Sequence, residues 1–185
     1  NYAKSKIEGE KNIINNFPEA TVLRPSVIYS VDDNFTTNLM TLINLLPFFP
    51  LYYKGKTKFS PMHVSDMSKI ILNIIERNIC SEIIECVGPE VLTFKEIIEK
   101  LSDSIGKKKL LIPFPISFAK SIAFFLEKIP KPLLTRDQLR LLKYDNILSH
   151  ELKSNLDIGI HAKLKFVDEV KKYSYMWKEG GEYSK

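Results

Sequence analysis

The stretch YAKSKIEGEKNIINNFPEATVLRPSVIY, residues 2–29, decides how the rest of this chain can fold. Its first part, residues 2–16, places isoleucines at the spacing of an amphipathic helix, with lysine and glutamate elsewhere. Pro18 cannot continue a helix, because it lacks the amide donor that the helix needs. The apolar, β-branched run 20–23 that follows is typical of a buried parallel strand, which ends at Arg24-Pro25. The stretch therefore predicts a helix, a turn and a strand in succession.

The rest of the chain alternates between the two element types, with helices in the majority. Apolar periodicity predicts helices over 35–46, 65–77, 93–105, 115–129, 135–144 and 162–176. Short apolar runs predict strands over 83–87 and 109–112, with an extended piece at 59–64 and loops at 47–53 and 145–161. The fold class is α/β. Since two parallel strands do not make a stable sheet, we expect further strands from upstream sequence and hence an N-terminally truncated chain.

Several helix starts carry their own cap signals. Two capping boxes begin at Thr93 and Thr135, each with a glutamate or glutamine three residues later. The polar cluster 32–34 predicts a cap for the helix that follows it, although Asp33 could equally border a substrate cleft. Asp66, beside a serine, is interpreted as an N-cap and not as a catalytic carboxylate, and His63 as a packing residue at the end of a strand.

Composition and charge exclude several kinds of protein. The chain has 185 residues and a net charge of +5, and its lysines are spread along the sequence and not concentrated in one basic stripe. We therefore expect no nucleic-acid partner, while the mildly basic surface suits an anionic membrane face. No apolar run is long enough to span a membrane. The two cysteines and three histidines have no metal-ligand spacing, so we expect reduced cysteines and no metal site.

The predicted first helix carries a candidate acid–base pair, Tyr2 and Lys6. Residues four apart on a helix share one face. An ammonium about 5 Å from a phenol favours the phenolate by roughly 3 kcal/mol at an effective dielectric constant of about 20. Such a tyrosine could exchange a proton with a carbonyl or alcohol near neutral pH, and the lysine could hold a ribose hydroxyl.

The spacing of this pair has little weight by itself. A chain with 8 tyrosines and this lysine content carries about one Tyr-x-x-x-Lys by chance. A second match occurs at Tyr52 and Lys56, in a predicted turn where the two residues need not share a face. We interpret the second match as chance, and a surface helix pair remains the alternative interpretation of the first.

The context of the first pair resembles the extended and atypical short-chain dehydrogenase/reductases. In that family a Tyr-x-x-x-Lys helix is followed by a strand that ends in Arg-Pro, as in Tyr2–Lys6 and Arg24-Pro25 here. The resemblance implies that Tyr2 is the acid/base and that Lys6 is its ribose-binding partner. It also implies that the loop Pro25, Ser26 and Val27 approaches the nicotinamide of NAD or NADP.

Downstream motifs narrow the resemblance to one branch of that family. The segments 33–35, 59–66, 88–96 and 134–138 resemble the branch that contains the dehydrogenase-like accessory subunit of respiratory complex I and its bacterial relatives. The family's glycine-rich dinucleotide loop is absent from this sequence, and Ser30 stands where relatives often have glycine. The resemblance therefore implies the C-terminal portion of a Rossmann-like domain, residues 1–88, followed by a mainly helical substrate or C-terminal domain, residues 89–185.

Two functions follow from the resemblance and remain open. One is an NAD(P)-binding accessory or assembly component related to NADH:ubiquinone oxidoreductase, with respiratory-complex subunits as partners. The other is an active NAD(P)-dependent oxidoreductase or nucleotide-sugar epimerase/dehydratase. Either would need the upstream half to bind its cofactor. We expect a cytoplasmic location, peripheral on the inner membrane, or the mitochondrial matrix in a eukaryote.

The predicted helix 115–129 is apolar on more than one face. One interpretation buries it in the C-terminal domain. The alternative makes it an interfacial helix that contacts a membrane or a subunit, with Lys120 and Lys128 at its polar edge.

Overall fold

The computed structural model describes residues 2–128 and 135–184, and the side chains in those ranges except those of Tyr2, Ala3 and Leu126. In these ranges the helices are α1 (Tyr2–Asn16), α2 (Thr36–Leu45), α3 (Val64–Glu76), α4 (Phe94–Ser104), α5 (Ile116–Leu126), α6 (Arg136–Leu141) and α7 (Phe166–Lys171). The strands are β1 (Val22–Pro25), β2 (Ile28–Tyr29), β3 (Phe48–Leu51), β4 (Lys58–Phe59), β5 (Met62–His63), β6 (Ile83–Cys86), β7 (Leu92–Thr93), β8 (Leu110–Pro113) and β9 (Lys153–Ser154). The α/β class is confirmed.

A parallel sheet of three strands, in the order β1-β6-β9, follows the first helix. Val22 pairs with Ile83 at one end of the β1–β6 ladder, and Ile84 pairs with Lys153 in the β6–β9 ladder. Strand β9 lies in the region 145–161 that the sequence predicts as a loop, and that prediction is wrong there. Its two residues are polar and without an apolar run, so only pairing with β6 makes them a strand. Within the described residues, β1 pairs on one side only.

Three smaller strand pairs surround this sheet. Strands β2 and β5 are parallel, β3 and β8 are parallel, and β4 and β7 are antiparallel. The predicted loop 47–53 is wrong over Phe48–Leu51, which form β3. Proline-rich sequence favours a loop, but Pro50 is tolerated because β3 pairs with β8 alone in the described part of the chain.

An aromatic core joins α2, α4 and α7. The described residues contribute to it several fully buried side chains, among them Met40, Ile97, Leu101 and Val170. The capping box predicted at Thr93 is present, because its hydroxyl accepts from the Glu96 amide and the Glu96 carboxylate accepts from the Thr93 amide. This core includes residues from both sides of position 88, and the predicted boundary between two domains there stays a prediction.

The chain that leaves strand β6 passes so close to the backbone of residues 60 and 61 that position 88 requires glycine. The Gly88 amide donates to the Ser60 carbonyl at 3.1 Å. A Cβ on Gly88 would lie 1.7 Å from the carbonyl oxygen of Pro61, which is backbone and cannot rotate away. The loop after β6 therefore packs directly on the backbone between β4 and β5.

The helix predicted over 162–176 is shorter in the structure, where α7 is followed by a 3-10 turn at Ser174–Trp177. Residues 163 and 164 stay extended because their amides donate to the buried carboxylate of Asp66, at 2.8 Å each. The interpretation of Asp66 as the N-cap of α3 is therefore wrong. His63 takes that place, since its Nδ1 accepts from the Ser65 amide at 3.3 Å.

Two other predicted helices differ at their ends. Helix α5 covers Ile116–Leu126, and the last position of its predicted range, residue 129, lies outside the described residues. Helix α6 ends at Leu141 and not at 144, although its capping box at Thr135 is present as predicted. The cap predicted from the cluster 32–34 is also present, because Asp33 Oδ1 accepts from the amides of Phe35 and Thr36 at 2.6 Å.

Candidate functional site

Helix α1 runs back along strand β1 and is fixed to its carboxyl end by an ion pair. The chain reverses in a tight turn, where the Ala20 amide donates to the Phe17 carbonyl at 3.0 Å. The Arg24 guanidinium then donates to both carboxylate oxygens of Glu10, at 3.0 and 2.5 Å. The hydrogen bond with Glu10 raises the pKa of Arg24 above its ordinary value. Because Glu10 sits midway along α1, the helix residues before it extend past the end of the strand.

The two predicted catalytic positions lie on the same side of α1 as Glu10. Tyr2, Lys6 and Glu10 follow one another at intervals of four residues, so they share one helix face. Lys6 is exposed, whereas the side chain of Tyr2 lies outside what the structure describes. The backbone thus brings both positions towards the carboxyl end of β1, the end at which open α/β sheets bind ligands. Their catalytic roles stay predictions.

Ser26, in the predicted cofactor loop, is buried and tied to three parts of the chain. Its amide donates to the Cys86 carbonyl at 2.9 Å. Its hydroxyl donates to the Asn146 carbonyl at 2.7 Å and accepts from the Ser60 amide at 3.1 Å. The hydroxyl therefore has internal partners for both its donor and its acceptor function. We infer that Ser26 shapes this loop through its hydrogen bonds, which hold the backbone at the end of β1 in place.

The other two residues of that loop differ in exposure. Pro25 is exposed at the end of β1, and Val27 is half-buried with its carbonyl accepting from the Met62 amide at 2.9 Å. Val27 also packs against the aromatic core. Pro25 is thus the exposed residue of this loop, at the same end of the sheet that α1 overhangs, while the Ser26 amide and the Val27 carbonyl have internal partners.

The second Tyr-x-x-x-Lys match does not form a helical pair. Tyr53 and Lys54 have φ angles of 50° and 58°, in the left-handed region, so the chain turns sharply between Tyr52 and Lys56. The Tyr52 ring is half-buried against Phe114, and burial raises the pKa of its phenol to about 12. Tyr52 is therefore a packing residue, in agreement with the interpretation of this match as chance.

A buried aromatic and polar cluster lies behind the loop, and the sequence did not indicate it. The Tyr29 ring is fully buried and packs edge-on against His63 and Phe166, at centroid distances of 5.3 and 4.9 Å. Burial raises the pKa of Tyr29 far above its ordinary value, which keeps the phenol protonated. His63 Nε2 lies 4.0 Å from a carboxylate oxygen of Glu169. No sequence signal connects residues so far apart in the chain, and only the run at β2 hinted that Tyr29 is buried.

An open apolar groove lies on the other side of the strand, between the turn after α1, β1 and α3. Its volume is about 390 Å³, and Phe17, Leu23, Ile71 and Ile75 are among the residues that line it. Ile75 is 68% exposed and Phe17 is 60% exposed, which is unusual for large apolar side chains that lie beside a sheet.

The described residues hold no group of three or more histidine, cysteine or acidic side chains that could bind a metal ion. Cys86 is buried in β6, and burial raises the pKa of its thiol to about 11. Cys80 is exposed, and neither cysteine is in a disulfide. Among the described residues at this end of the sheet, the Lys6 ammonium is a donor suited to a ribose, and no glycine-rich loop supplies a pyrophosphate cradle.

Sequence relatives of the chain are subunits of mitochondrial complex I. It is 30% identical over 175 residues to NADH dehydrogenase [ubiquinone] 1 alpha subcomplex subunit 9 of Arabidopsis thaliana, covering 88% of this chain and 43% of the relative. The protein of the same name from Dictyostelium discoideum is 32% identical over 142 residues, which are 75% of this chain and 40% of the relative. The chain therefore spans less than half the length of the curated relatives it matches. No protein-family model matches it.

Solved structures with the same fold include an epimerase family protein and a dehydratase, each with a bound dinucleotide. The human epimerase family protein SDR39U1 in complex with NADPH superimposes with a TM-score of 0.61 at 16% identity, over 83% of this chain and 48% of that one. The dTDP-glucose 4,6-dehydratase of Bacillus anthracis in complex with NAD gives 0.57 at 15% identity, over 89% and 46%.

These likenesses agree with the arrangement of α1, β1 and the loop after it. They confirm the resemblance to extended short-chain dehydrogenase/reductases and the Rossmann-like fold. Over its matched length the chain is thus a homologue of the complex I alpha-subcomplex subunit 9 proteins, built on the fold of NAD(P)-binding epimerases and dehydratases.

Proposed function

We propose that this chain is the C-terminal portion of an NAD(P)-binding, short-chain dehydrogenase/reductase-like accessory component of NADH:ubiquinone oxidoreductase. The homologues are subunits of that complex, and the structural neighbours hold NAD or NADPH. The proposal assigns the ribose and nicotinamide contacts to this chain and the remaining contacts to an upstream half.

The pairing of Arg24 with Glu10 is the observation that carries the proposal. It holds Glu10, one turn after Lys6 on the same face of α1, against Arg24 at the carboxyl end of β1. A bidentate guanidinium–carboxylate contact fixes direction as well as distance, so it orients the helix against the strand. A nucleotide at this end of the sheet would meet the Lys6 ammonium on one side and the exposed Pro25 on the other.

Each group has a distinct chemical task in this arrangement. The Lys6 ammonium donates hydrogen bonds to ribose hydroxyls and, by its charge, favours ionisation of a neighbouring phenol. Tyr2 would exchange a proton with a substrate carbonyl or alcohol in an active enzyme. The dinucleotide, when bound, supplies hydride transfer.

The upstream half in this proposal completes the sheet and covers the groove. Strand β1 has one partner among the described strands, and the apolar groove beside it exposes Phe17 and Ile75. A strand added at the free edge of β1 would continue the parallel sheet, and its helices would bury the groove. The same half would carry the glycine-rich loop for the pyrophosphate.

Titration of the full-length protein with NADPH and NADH, followed by protein fluorescence, tests the proposal. We expect Lys6→Gln to weaken binding by about tenfold or more, because it removes a charged hydrogen-bond donor. The matched control is Lys4→Gln, on the opposite side of α1, where the lysine pairs with Glu8 at 3.8 Å. Equal binding by Lys6→Gln and wild type would overturn the assignment of the site.

The alternative, an active oxidoreductase or nucleotide-sugar epimerase/dehydratase, is favoured by the retained Tyr2–Lys6 spacing. Tyr2→Phe separates the two functions, because it removes only the phenolic hydroxyl group, which carries the exchangeable proton. An accessory component should bind NADPH and assemble into the complex equally well with either residue. Turnover of a nucleotide sugar or an alcohol that disappears in Tyr2→Phe would establish the enzyme instead.

The proposed partners are respiratory-complex subunits and the membrane that carries the complex. No helix among the described residues is long and apolar enough to cross a bilayer. We place the protein in the mitochondrial matrix of a eukaryote, or in the cytoplasm of a bacterium, in peripheral contact with the inner membrane. Fractionation of membranes before and after a high-salt wash measures that contact.

A further inference from the structure

Helix α5 turns its small side chains inward and its large apolar side chains outward. Ala119 and Ala123 are fully buried, whereas Phe118, Ile122 and Phe125 are 66%, 46% and 65% exposed. The three exposed residues are spaced by four and then three positions, which places them along one face of the helix. This reverses the usual arrangement of an amphipathic helix packed on a core, and the prediction of a fully buried helix is wrong.

The opposite face of α5 is buried, so the helix already packs against a core. Its outward apolar residues are therefore not exposed because a packing partner is missing. Ala119 and Ala123 contact Leu139 of α6 in a small cluster that also includes Tyr52 and Phe114. Leu139 is fully buried there. The alanines allow close approach of α6, so the stripe Phe118, Ile122 and Phe125 is held outward on a packed helix pair.

Basic side chains border this stripe. Lys120, Arg136 and Arg140 line an open cleft with Phe124 and Phe125. Lys128 Nζ lies 5.1 Å from the centroid of the Phe124 ring. The helices and their flanking residues, 116–128 and 135–144, contain five basic side chains and two acidic ones.

The two acidic residues pair with arginines and leave the lysines as the excess charge. Glu127 accepts from the Arg136 guanidinium at 2.8 Å, and Asp137 accepts from Arg140 at 3.2 Å. Lys120 and Lys128 are exposed, and their long stems can carry the ammonium groups up to a layer of phosphates above the apolar stripe.

We propose that Phe118, Ile122 and Phe125, together with Lys120 and Lys128, dock this protein on an anionic phospholipid bilayer with α5 lying in the plane of the surface. The helix has 11 residues. At 1.5 Å per residue it is about 16 Å long, which is too short to cross a bilayer but suited to its interface. Phosphate groups provide a counter-charge for the lysines, since the two acidic side chains in the described part of this helix pair contact arginines, while acyl chains receive the phenylalanines.

This inference names the site of the membrane contact in the proposed function and does not depend on nucleotide binding. The NADPH titration and the vesicle-binding experiment can therefore fail independently of each other, and the two proposals are tested separately. A protein partner is the competing occupant, and vesicles that contain no protein distinguish it from lipid. The excess of positive charge around the stripe favours phospholipid, because anionic lipid supplies a dense layer of phosphates.

Flotation of the full-length protein with vesicles tests the proposal. One set of vesicles contains phosphatidylcholine alone, and the other contains phosphatidylcholine with phosphatidylglycerol. We expect flotation with the anionic vesicles, weakened by added salt, and little with the neutral ones. Absence of flotation with the anionic vesicles at low salt overturns the proposal, even if a protein partner is found to bind α5.

Two pairs of variants locate the contact. Phe118→Ser with Phe125→Ser should weaken vesicle binding by about a hundredfold, since two buried phenylalanines are lost. Lys120→Gln with Lys128→Gln should weaken it by roughly thirtyfold. The matched controls change exposed residues elsewhere: Val91→Ser with Leu156→Ser replaces two apolar side chains, and Lys108→Gln with Lys171→Gln replaces two lysines. Unchanged flotation of both α5 variants would also overturn the proposal, and circular dichroism confirms that each variant is folded.

Discussion

Two regions of the molecule, one beside α1 and β1 and one on α5, expose large apolar side chains in different ways. Beside α1 and β1, Phe17 and Ile75 line a groove next to a strand that pairs on one side only among the described residues. On α5, Phe118 and Phe125 stand on a helix whose opposite face is already packed and whose flanks are basic. The first surface has the character of an unfinished domain interior, and the second that of a contact with another surface. Exposure alone therefore does not distinguish a missing core from an interface, whereas strand pairing and charge do.

The largest effect on stability should come from a substitution at Gly88, which lies where the fold is already closely packed. Gly88→Ala would place a Cβ against the Pro61 carbonyl, and we expect it to lower the free energy of unfolding by about 3 kcal/mol or more. Gly9→Ala is the matched control in α1, where nothing lies within 4 Å of the added atom. It should raise stability by up to about 1 kcal/mol. Urea unfolding of the full-length protein measures both, and equal effects would show that the close approach at Gly88 is absent.

Asp66 comes next, because it holds the extended segment before α7. Burial alone would raise the pKa of Asp66, but hydrogen bonds from the amides of Leu164 and Lys163, with help from Lys69, lower it below its ordinary value of 3.8. We expect Asp66→Asn to cost about 2 kcal/mol at neutral pH, since it weakens a buried acceptor for two backbone amides.

The pH dependence of the Asp66 effect has a definite sign. A carboxyl whose pKa is lower in the folded state stabilises the fold above its unfolded pKa of 3.8, and this contribution is lost as the pH falls through the folded value. The difference between wild type and Asp66→Asn should therefore shrink below about pH 4. A difference that stays constant over that range would show that the charge of Asp66 is not what holds the segment.

The third prediction separates the two exposed surfaces directly. If an upstream half covers the groove, Ile75→Ala in the full-length protein should cost about 2 kcal/mol, as for a buried isoleucine. Phe118→Ala, on a surface of equal exposure, should change stability by less than about 0.5 kcal/mol in the absence of membranes. Thermal unfolding of the two variants measures this. Similar small losses of stability for both variants would show that the groove is not part of the domain interior.

A smaller loss of stability than that of Ile75→Ala should come from the pair that orients α1. Arg24 is partly exposed, so Arg24→Gln should cost only about 1 kcal/mol. Its effect on NADPH affinity should be larger than its effect on stability, because α1 loses its fixed direction and Lys6 its position. Arg140→Gln, which breaks an exposed ion pair with Asp137, should leave NADPH affinity unchanged. Equal affinities for Arg24→Gln and wild type would show that the pair only stabilises the fold.

Local patterns predicted much of the fold, because their causes lie within a few residues. The capping boxes at Thr93 and Thr135, the helix α1 and the strand β1 all follow from neighbouring side chains, and each is present as predicted. Strands β3 and β9 were missed, since each becomes a strand only by pairing with residues far away in the sequence. The positions Tyr2 and Lys6 were predicted from helical spacing, yet the partner that directs their helix, Arg24, was noted only as part of a family motif.

By itself the sequence determined the class of fold, the capped starts of α4 and α6, the order of helix and strand around Arg24-Pro25, and the family resemblance that the relatives confirm. Those features depend on spacing and on the conformational limits of proline, glycine and capping side chains, which act locally. Tertiary structure alone decided that Asp66 binds the backbone before α7, that Ser26 ties the loop after β1 to three distant segments, and that α5 turns its phenylalanines outward. Each of these depends on which surfaces meet after folding, because hydrogen-bond partners and burial are set by residues that no local pattern connects.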